Sequence, residues 1–255
     1  MKLATWNVNS IRARHDRVVA WLADRAPDVL CLQEIKVETD AFPRDAFEAA
    51  GWHLAIHGQK TYNGVAIASR TPISDVEIGL GDDDPDDHAR LIAGTVDGVR
   101  VVSAYFPNGG EVGSDKYAYK LRWMARLRAW LERRDPAAPL ALCGDYNVAP
   151  DDRDVWDPAA WAGQTLCTDA ERAALAELGA WGLRDTFRKH HDDGGLYSWW
   201  DYRRLSFPKK QGLRIDHVWV TASLYERCVA CDIDRDARKG KDASDHAPVI
   251  AEFSA

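Results

Sequence analysis

Five times in this chain a short apolar, strand-prone run stops abruptly on acids, amides or an imidazole, and that recurrence constrains the fold more than any other feature. Leu140-Ala141-Leu142-Cys143 passes through Gly144 into Asp145 and Asn147, Leu3 to Trp6 runs into Asn7 and Asn9, and Val29 to Leu32 runs into Gln33 and Glu34. Near the C-terminus Asp245 and His246 precede the run Ala247 to Phe253, and Asp216 and His217 lie within the run Leu213 to Val220. Side chains two apart share a face of an extended segment, so Asp145 and Asn147 point the same way, and Gly144 permits close approach of the backbone. Alone, such a segment reads as a strand end entering an Asx turn before Pro150. Five of them read as strands whose polar ends gather at one rim, in the loop region where a rigid scaffold presents its chemistry.

Between these runs the pattern alternates. Val18, Val19, Trp21 and Leu22 recur at helical spacing over Asp16 to Ala26, ended by Pro27, and Phe42 to Ala50 predicts a short helix closed by Gly51. His53 to Ile56, Gly64 to Ser69, Ile73 to Ile78, Leu91 to Val96 and Val99 to Tyr105 are β-branched runs parted by turn signals such as Asn63-Gly64 and Asp97-Gly98, an antiparallel series. Ser114 or Asp115 opens the longest helix, with Tyr119, Trp123, Leu127 and Trp130 along one stripe to about Arg134. Thr168-Asp169-Ala170-Glu171 is a capping box ahead of a helix ending near Gly179. Leu183 to Phe187, Tyr197 to Tyr202, Leu213 to Val220 and Pro248 to Phe253 supply later strands. Two strand-rich halves, each with helices, predict an α+β sandwich of two packed, mostly antiparallel sheets with helices outside; the periodicity leaves strand order open.

The chain has 255 residues, and no Gly/Ser- or Pro-rich spacer, repeat or low-complexity tract divides it, so residues 1–255 are expected to form a single domain. No apolar run approaches the ~18 residues of a membrane span, and no signal-peptide pattern opens the chain, which predicts a cytoplasmic protein without membrane contact. Cys31 and Cys143 lie inside strand-like runs, and Cys228 and Cys231 form a lone C-x-x-C without a second pair, so free thiols are expected. A net charge of −7 argues against coating nucleic acid by bulk electrostatics but leaves a local basic face open. The acidic block Asp82 to Asp87 reads as a solvated loop, and so does His190-His191-Asp192-Asp193.

Thr5-Trp6-Asn7-Val8-Asn9, Leu32-Gln33-Glu34, Tyr62-Asn63-Gly64-Val65-Ala66, Tyr105-Phe106-Pro107-Asn108-Gly109, Gly144-Asp145-Tyr146-Asn147, Tyr197 to Arg203, Leu213 to Asp216 and Ser244-Asp245-His246-Ala247-Pro248 occur in the order found in the exonuclease III family of abasic-site endonucleases. The chain resembles that family from Lys2 to Phe253. The resemblance implies a four-layer αββα sandwich with its site at one rim, and a Mg²⁺ or Mn²⁺ enzyme that cuts DNA phosphodiesters. It implies Asn7, Asn9, Glu34, Asp145, Asn147 and Asp245 as the metal set; a hard ion does want oxygen ligands from few carboxylates. It also implies that Asp145 orients or deprotonates the attacking water and Asn147 holds that water or a phosphoryl oxygen. His246, positioned by Asp216, would contact the scissile phosphate as base or as cation, and Tyr105 would donate to the phosphate or leaving oxygen.

For DNA contact, Lys116 and Lys120 follow the Tyr105 loop, and Arg203 flanks Trp199 and Trp200, an alternation of basic and aromatic residues that suits a phosphate-tracking surface. The resemblance adds Asn108 as a DNA contact and Trp199, Leu213 and Ile215 as the lining of a pocket for a base-free sugar. The expected partner is double-stranded DNA with abasic sites, nicks or 3′ ends, met by a monomer. The expected activity is Mg²⁺-dependent 3′-to-5′ exonuclease action with abasic-site cleavage. Competing readings are a relative with exonuclease but little abasic-site activity, a phosphodiesterase or phosphatase on non-DNA substrates, and a non-catalytic DNA-binding module.

Overall fold

A computed structural model describes residues 1–84 and 88–254. Two six-stranded mixed sheets pack face to face. In the first, the order is β11 (Cys228–Ile233), β12 (Val249–Phe253), β1 (Lys2–Asn7), β2 (Val29–Gln33), β4 (Val65–Ser69), β3 (His53–His57). In the second it is β5 (Ser74–Ile78), β6 (Leu91–Val96), β7 (Val99–Tyr105), β8 (Leu140–Asp145), β10 (Asp216–Val220), β9 (Arg184–Asp185). Only the β1–β2 and β7–β8 pairs are parallel, each joined by a helical crossover, α1 (Ile11–Arg25) and α3 (Asp115–Glu132) respectively. Shorter helices complete the chain: α2 (Asp45–Ala49), α4 (Pro158–Trp161), α5 (Asp169–Trp181), α6 (Thr186–His190) and α7 (Ala222–Arg227).

Period-two alternation builds the layers. Along β2, Val29 and Cys31 enter the core between the sheets with Ile67, Val101, Cys143 and Val218, while Leu30 and Leu32 face outward onto Val18, Trp21 and Leu22 of α1. On the other side Trp123, Leu127 and Trp130 of α3 and Leu175 and Leu178 of α5 cover Val102 and Leu142. The result is helix, sheet, sheet, helix, the expected α+β sandwich. The capping box closes at Thr168, whose hydroxyl accepts from Glu171 N while the Glu171 carboxylate accepts from Thr168 N. All five cysteines are buried and free.

Several expectations shift. Helix α1 starts at Ile11, five residues before Asp16, because the Ser10 hydroxyl caps it by accepting from Ala13 N. Only Arg184 and Asp185 of Leu183 to Phe187 are strand; Asp185 then caps α6 by accepting from Phe187 N. Tyr197 to Tyr202 makes single bridges, Trp199 to Leu213 and to His246, instead of a strand. Cys228–Ile233, read only for its thiols, is edge strand β11. His191 is anchored, stacked on Phe187 and bonded to Cys231 O at 2.8 Å. In the acidic block Asp82 accepts two hydrogen bonds from Arg126, at 2.7 Å each; Pro85, Asp86 and Asp87 lie outside the described residues. Among the described residues no helix is long and apolar enough to cross a membrane.

Candidate active site

Parallel pairing sets the rim. The C-terminal ends of β1, β2, β7 and β8 deliver Asn7, Glu34, Tyr105 and Asp145, and the antiparallel neighbours β10 and β12 start there, with Asp216 opposite Asp145 and His246 just before β12. Gly144 is needed at this crossing: a Cβ there would sit 1.8 Å from Ala104 O on β7. Residues far apart in sequence thus meet. Asn7 Nδ2 donates to Glu34 Oε1 at 2.8 Å and to Asp145 Oδ2 at 2.9 Å. His246 Nδ1 lies 2.8 Å from Asp216 Oδ2, its Nε2 lies 3.7 Å from Asp145 Oδ2, and Ser198 Oγ donates to Asp216 at 2.7 Å.

Burial by itself would lower the His246 pKa, but the flanking carboxylates of Asp216 and Asp145 outweigh it and raise it to about 10, so the ring is an imidazolium. Burial pushes the Asp145 carboxyl up to about 7; His246 opposes the shift, and the charges of Asp216 and Glu34 add to it. A base near neutrality suits proton abstraction. Burial, with the charges of Glu34 and Asp145, lifts the Tyr105 phenol well above its ordinary value, so Tyr105 stays a donor facing those carboxylates. Although burial raises its pKa, the Asp245 carboxyl is held low by His246 and by hydrogen bonds from Asn9 (2.9 Å) and the Trp199 indole (3.1 Å).

Asn147 has a φ of 50°, a left-handed conformation that Asn tolerates, and it is held from every side. Its N–H donates to Asp145 Oδ1 at 2.9 Å, its Nδ2 to Phe106 O at 3.0 Å, and its Oδ1 accepts from Asn108 Nδ2 at 3.0 Å. Its carbonyl accepts from Lys120 Nζ at 2.7 Å.

That contact corrects the reading of Lys120 as a DNA contact. The Lys120 side chain is 0% exposed, ion-paired with Glu171, and also donates to Asn108 O at 3.2 Å, so it braces the site from behind. Trp200 is likewise removed from any DNA surface: it is 1% exposed and packs edge-on against Phe207. Leu213 and Ile215 are fully buried with Ala149, Val155, Leu166 and Cys167, and therefore do not line an open sugar pocket. Trp199 is partly exposed at the rim, and Lys116 and Arg203 are exposed. Asn7 and Asn9 turn amide N–H groups, not oxygens, to the carboxylates; Asn7 Oδ1 accepts from Asn9 N and Asn9 Oδ1 from Lys36 Nζ at 2.5 Å. Lys36, which also pairs with Glu34 Oε2 at 2.8 Å, was missed. Its place two residues after Glu34 was the available signal.

For a divalent ion the donor set fits. Ligand atoms of Glu34, Asp145 and His246 lie within 4.8 Å of one another, the one such cluster among the described residues. The two carboxylates supply hard oxygen donors, whereas a protonated His246 has no lone pair to offer.

Converging carboxylates, an imidazole and a phenol at the rim of an αββα sandwich are the groups that phosphodiester hydrolysis uses. The sequence profile of the Endonuclease/Exonuclease/phosphatase family matches residues 4–246. The chain is 36% identical to an exodeoxyribonuclease III of Haemophilus influenzae, over 99% of this chain and 100% of that one. Its structure superposes on a 3′ phosphatase, NExo, from Neisseria bound to product DNA hairpin with a TM-score of 0.98 at 42% identity, covering 100% of both chains. It superposes equally fully on an AP endonuclease from Archaeoglobus fulgidus, with a TM-score of 0.97 at 39% identity and 100% of both chains covered. The chain belongs to the exonuclease III / AP endonuclease branch of the Endonuclease/Exonuclease/phosphatase family.

Proposed function

We propose that this chain is a Mg²⁺- or Mn²⁺-dependent nuclease that removes nucleotides from the 3′ ends of double-stranded DNA and cleaves beside abasic sites. The observation that carries the reading is the convergence of Glu34, Asp145 and His246 at one rim, with Asn7 bridging the two carboxylates. Glu34 and Asp145 would hold the ion, which when bound supplies positive charge to the phosphate oxygens. Asp145, aimed by the Asn147 N–H and the Asn7 amide, takes the proton of the attacking water. The His246 imidazolium, fixed by Asp216, neutralises a non-bridging phosphate oxygen, and the Tyr105 hydroxyl donates to the phosphate or the leaving oxygen. Asp245 sets the Trp199 indole and Asn9, and Asn147 presents the Asp145 oxygens. Lys116, Arg203 and Asn108 meet the DNA.

A second reading, 3′-end processing with little abasic-site cleavage, draws on the buried Leu213 and Ile215 and on likeness to a 3′ phosphatase. Both readings are tested on duplexes carrying an internal abasic site, a nick, a 3′ phosphate or an ordinary 3′ end, with Mg²⁺ and with EDTA. Mg²⁺-dependent release from the ends is expected, abolished in Asp145→Asn by about 100-fold or more while DNA binding persists. Hydrolysis of mononucleotides or lipids without cleavage of DNA would overturn both.

A further inference from the structure

Beside Asn147 the rim opens into a cavity of about 530 Å³, and of its lining only Asn108 has been given a role in meeting DNA. One wall is the loop carrying Asn108, Glu111 and Val112; the other carries Trp161, Gln164 and Thr165. The cavity begins one hydrogen bond from the site, since Asn108 donates to Asn147 Oδ1 at 3.0 Å. Its walls are braced together: Lys120 donates to Asn108 O, and its buried partner Glu171 accepts from Leu166 N at 3.1 Å behind the opposite wall. A braced, preformed hollow of this size is suited to a small planar group.

The lining chemistry says which group. Glu111 is the one ionisable residue in the wall, so the lining offers no cation to a phosphate and its carboxylate disfavours one. The rest of the lining is an indole, the amides of Asn108 and Gln164, a hydroxyl and the apolar side chains of Val112 and Leu166. The Gln164 amide makes no side-chain hydrogen bond to another described residue and is free to meet a base edge, which carries donors and acceptors side by side. An indole stacks on any base regardless of identity.

We propose that this cavity receives the nucleobase of the nucleotide being removed from a 3′ end, stacked on Trp161 with its edge bonded by Gln164. The proposal rests on the DNA reading above and sharpens it: a site that hydrogen-bonds a base discriminates against a terminus that lacks one, because its polar groups are then left unpaired. It also gives the departing base a place that Leu213 and Ile215, being buried, do not provide.

The test uses the full chain carrying Asp145→Asn, with duplexes holding 2-aminopurine either at the 3′ terminus or several pairs inward. Terminal fluorescence is expected to be quenched on binding and restored by adding Trp161→Ala, while the inward probe responds to neither. In otherwise unaltered enzyme, Trp161→Ala should lower kcat/KM for a base-bearing 3′ end about tenfold relative to a tetrahydrofuran 3′ end, the scale of one lost stacking contact, with Trp161→Phe recovering most of the loss. If anisotropy shows DNA bound but terminal fluorescence ignores Trp161, the cavity assignment fails while the nuclease reading stands. If no DNA binds at all, the nuclease reading fails and takes the cavity with it.

Discussion

Replacing His217 by Gln should flatten the pH dependence of stability on the acid side. His217 is fully buried between Tyr146 and Trp219, its Nδ1 accepting from Arg214 Nη1 at 3.0 Å and its Nε2 lying 3.1 Å from Val148 O. Arginine only donates, so Nδ1 must be the bare nitrogen and Nε2 the protonated one: the ring is neutral. Burial, joined by the Arg214 charge, lowers its pKa from 6.5 to about 4. Because the folded value lies below the unfolded one, the unfolded chain takes up the proton first, and stability falls as pH drops from 6.5 towards 4. The full difference is roughly 3 kcal/mol at 1.36 kcal/mol per pKa unit, and about 2 kcal/mol of it is gone by pH 5. Urea unfolding of parent and His217→Gln between pH 7.5 and 4.5 isolates the contribution from other titrating groups. The variant loses ring packing and is less stable throughout, but the gap to the parent should narrow by about 2 kcal/mol from pH 7.5 to pH 5. A gap that stays constant would mean that His217 is not held neutral by burial and Arg214.

Glu34→Gln should weaken Mn²⁺ binding, followed by isothermal titration, at least about tenfold with an unchanged melting temperature, since it removes a hard donor's charge and keeps its shape. Lys120→Met alone should cost about 3 kcal/mol or more by stranding the buried Glu171 charge, whereas Lys120→Met with Glu171→Gln should regain part of that in thermal melting, because Gln carries no charge and its one amide oxygen can still accept from one of the two N–H groups, Leu166 or Thr168, that Glu171 serves. If the double variant is no more stable than the single, the pair is not the buried ion pair described. Gly144→Ala should fail to yield soluble, cooperatively melting protein, because its Cβ would sit 1.8 Å from Ala104 O on the neighbouring strand; a normal melt would mean that β7 and β8 are less closely coupled there.

How far the site could be read in advance follows from the range of the interactions involved. Where a residue's role is decided by its near neighbours, the sequence alone sufficed: apolar runs ending on Asn7, Glu34, Asp145 and His246 declared strands with chemistry at their ends, and Thr168 with Glu171 declared a helix start. The reading erred where short-range cues competed. Cys228 and Cys231 read as thiols although their segment is edge strand β11, and the first helix read as starting at Asp16 although Ser10 caps it ahead of Ile11. Trp199 and Trp200, adjacent and chemically alike, part company because consecutive extended residues face opposite ways, one to Asp245 and one to Phe207.

By itself, then, the sequence determined the α+β sandwich, the order of its site motifs and the residue types that reach the rim, because pattern and motif are written within a few residues. Only the tertiary structure decided what each charge meets. Lys120 read as a surface cation until Glu171, 51 positions away, was brought against it where neither side chain is exposed to solvent. Leu213 and Ile215 read as pocket walls until Val155 and Leu166 closed over them. The electrostatics of His246 likewise arise from Asp216 and Asp145 on two other strands. Solvent access and partner charges depend on distances between segments that are remote in the chain, and these exist only once the two sheets have packed.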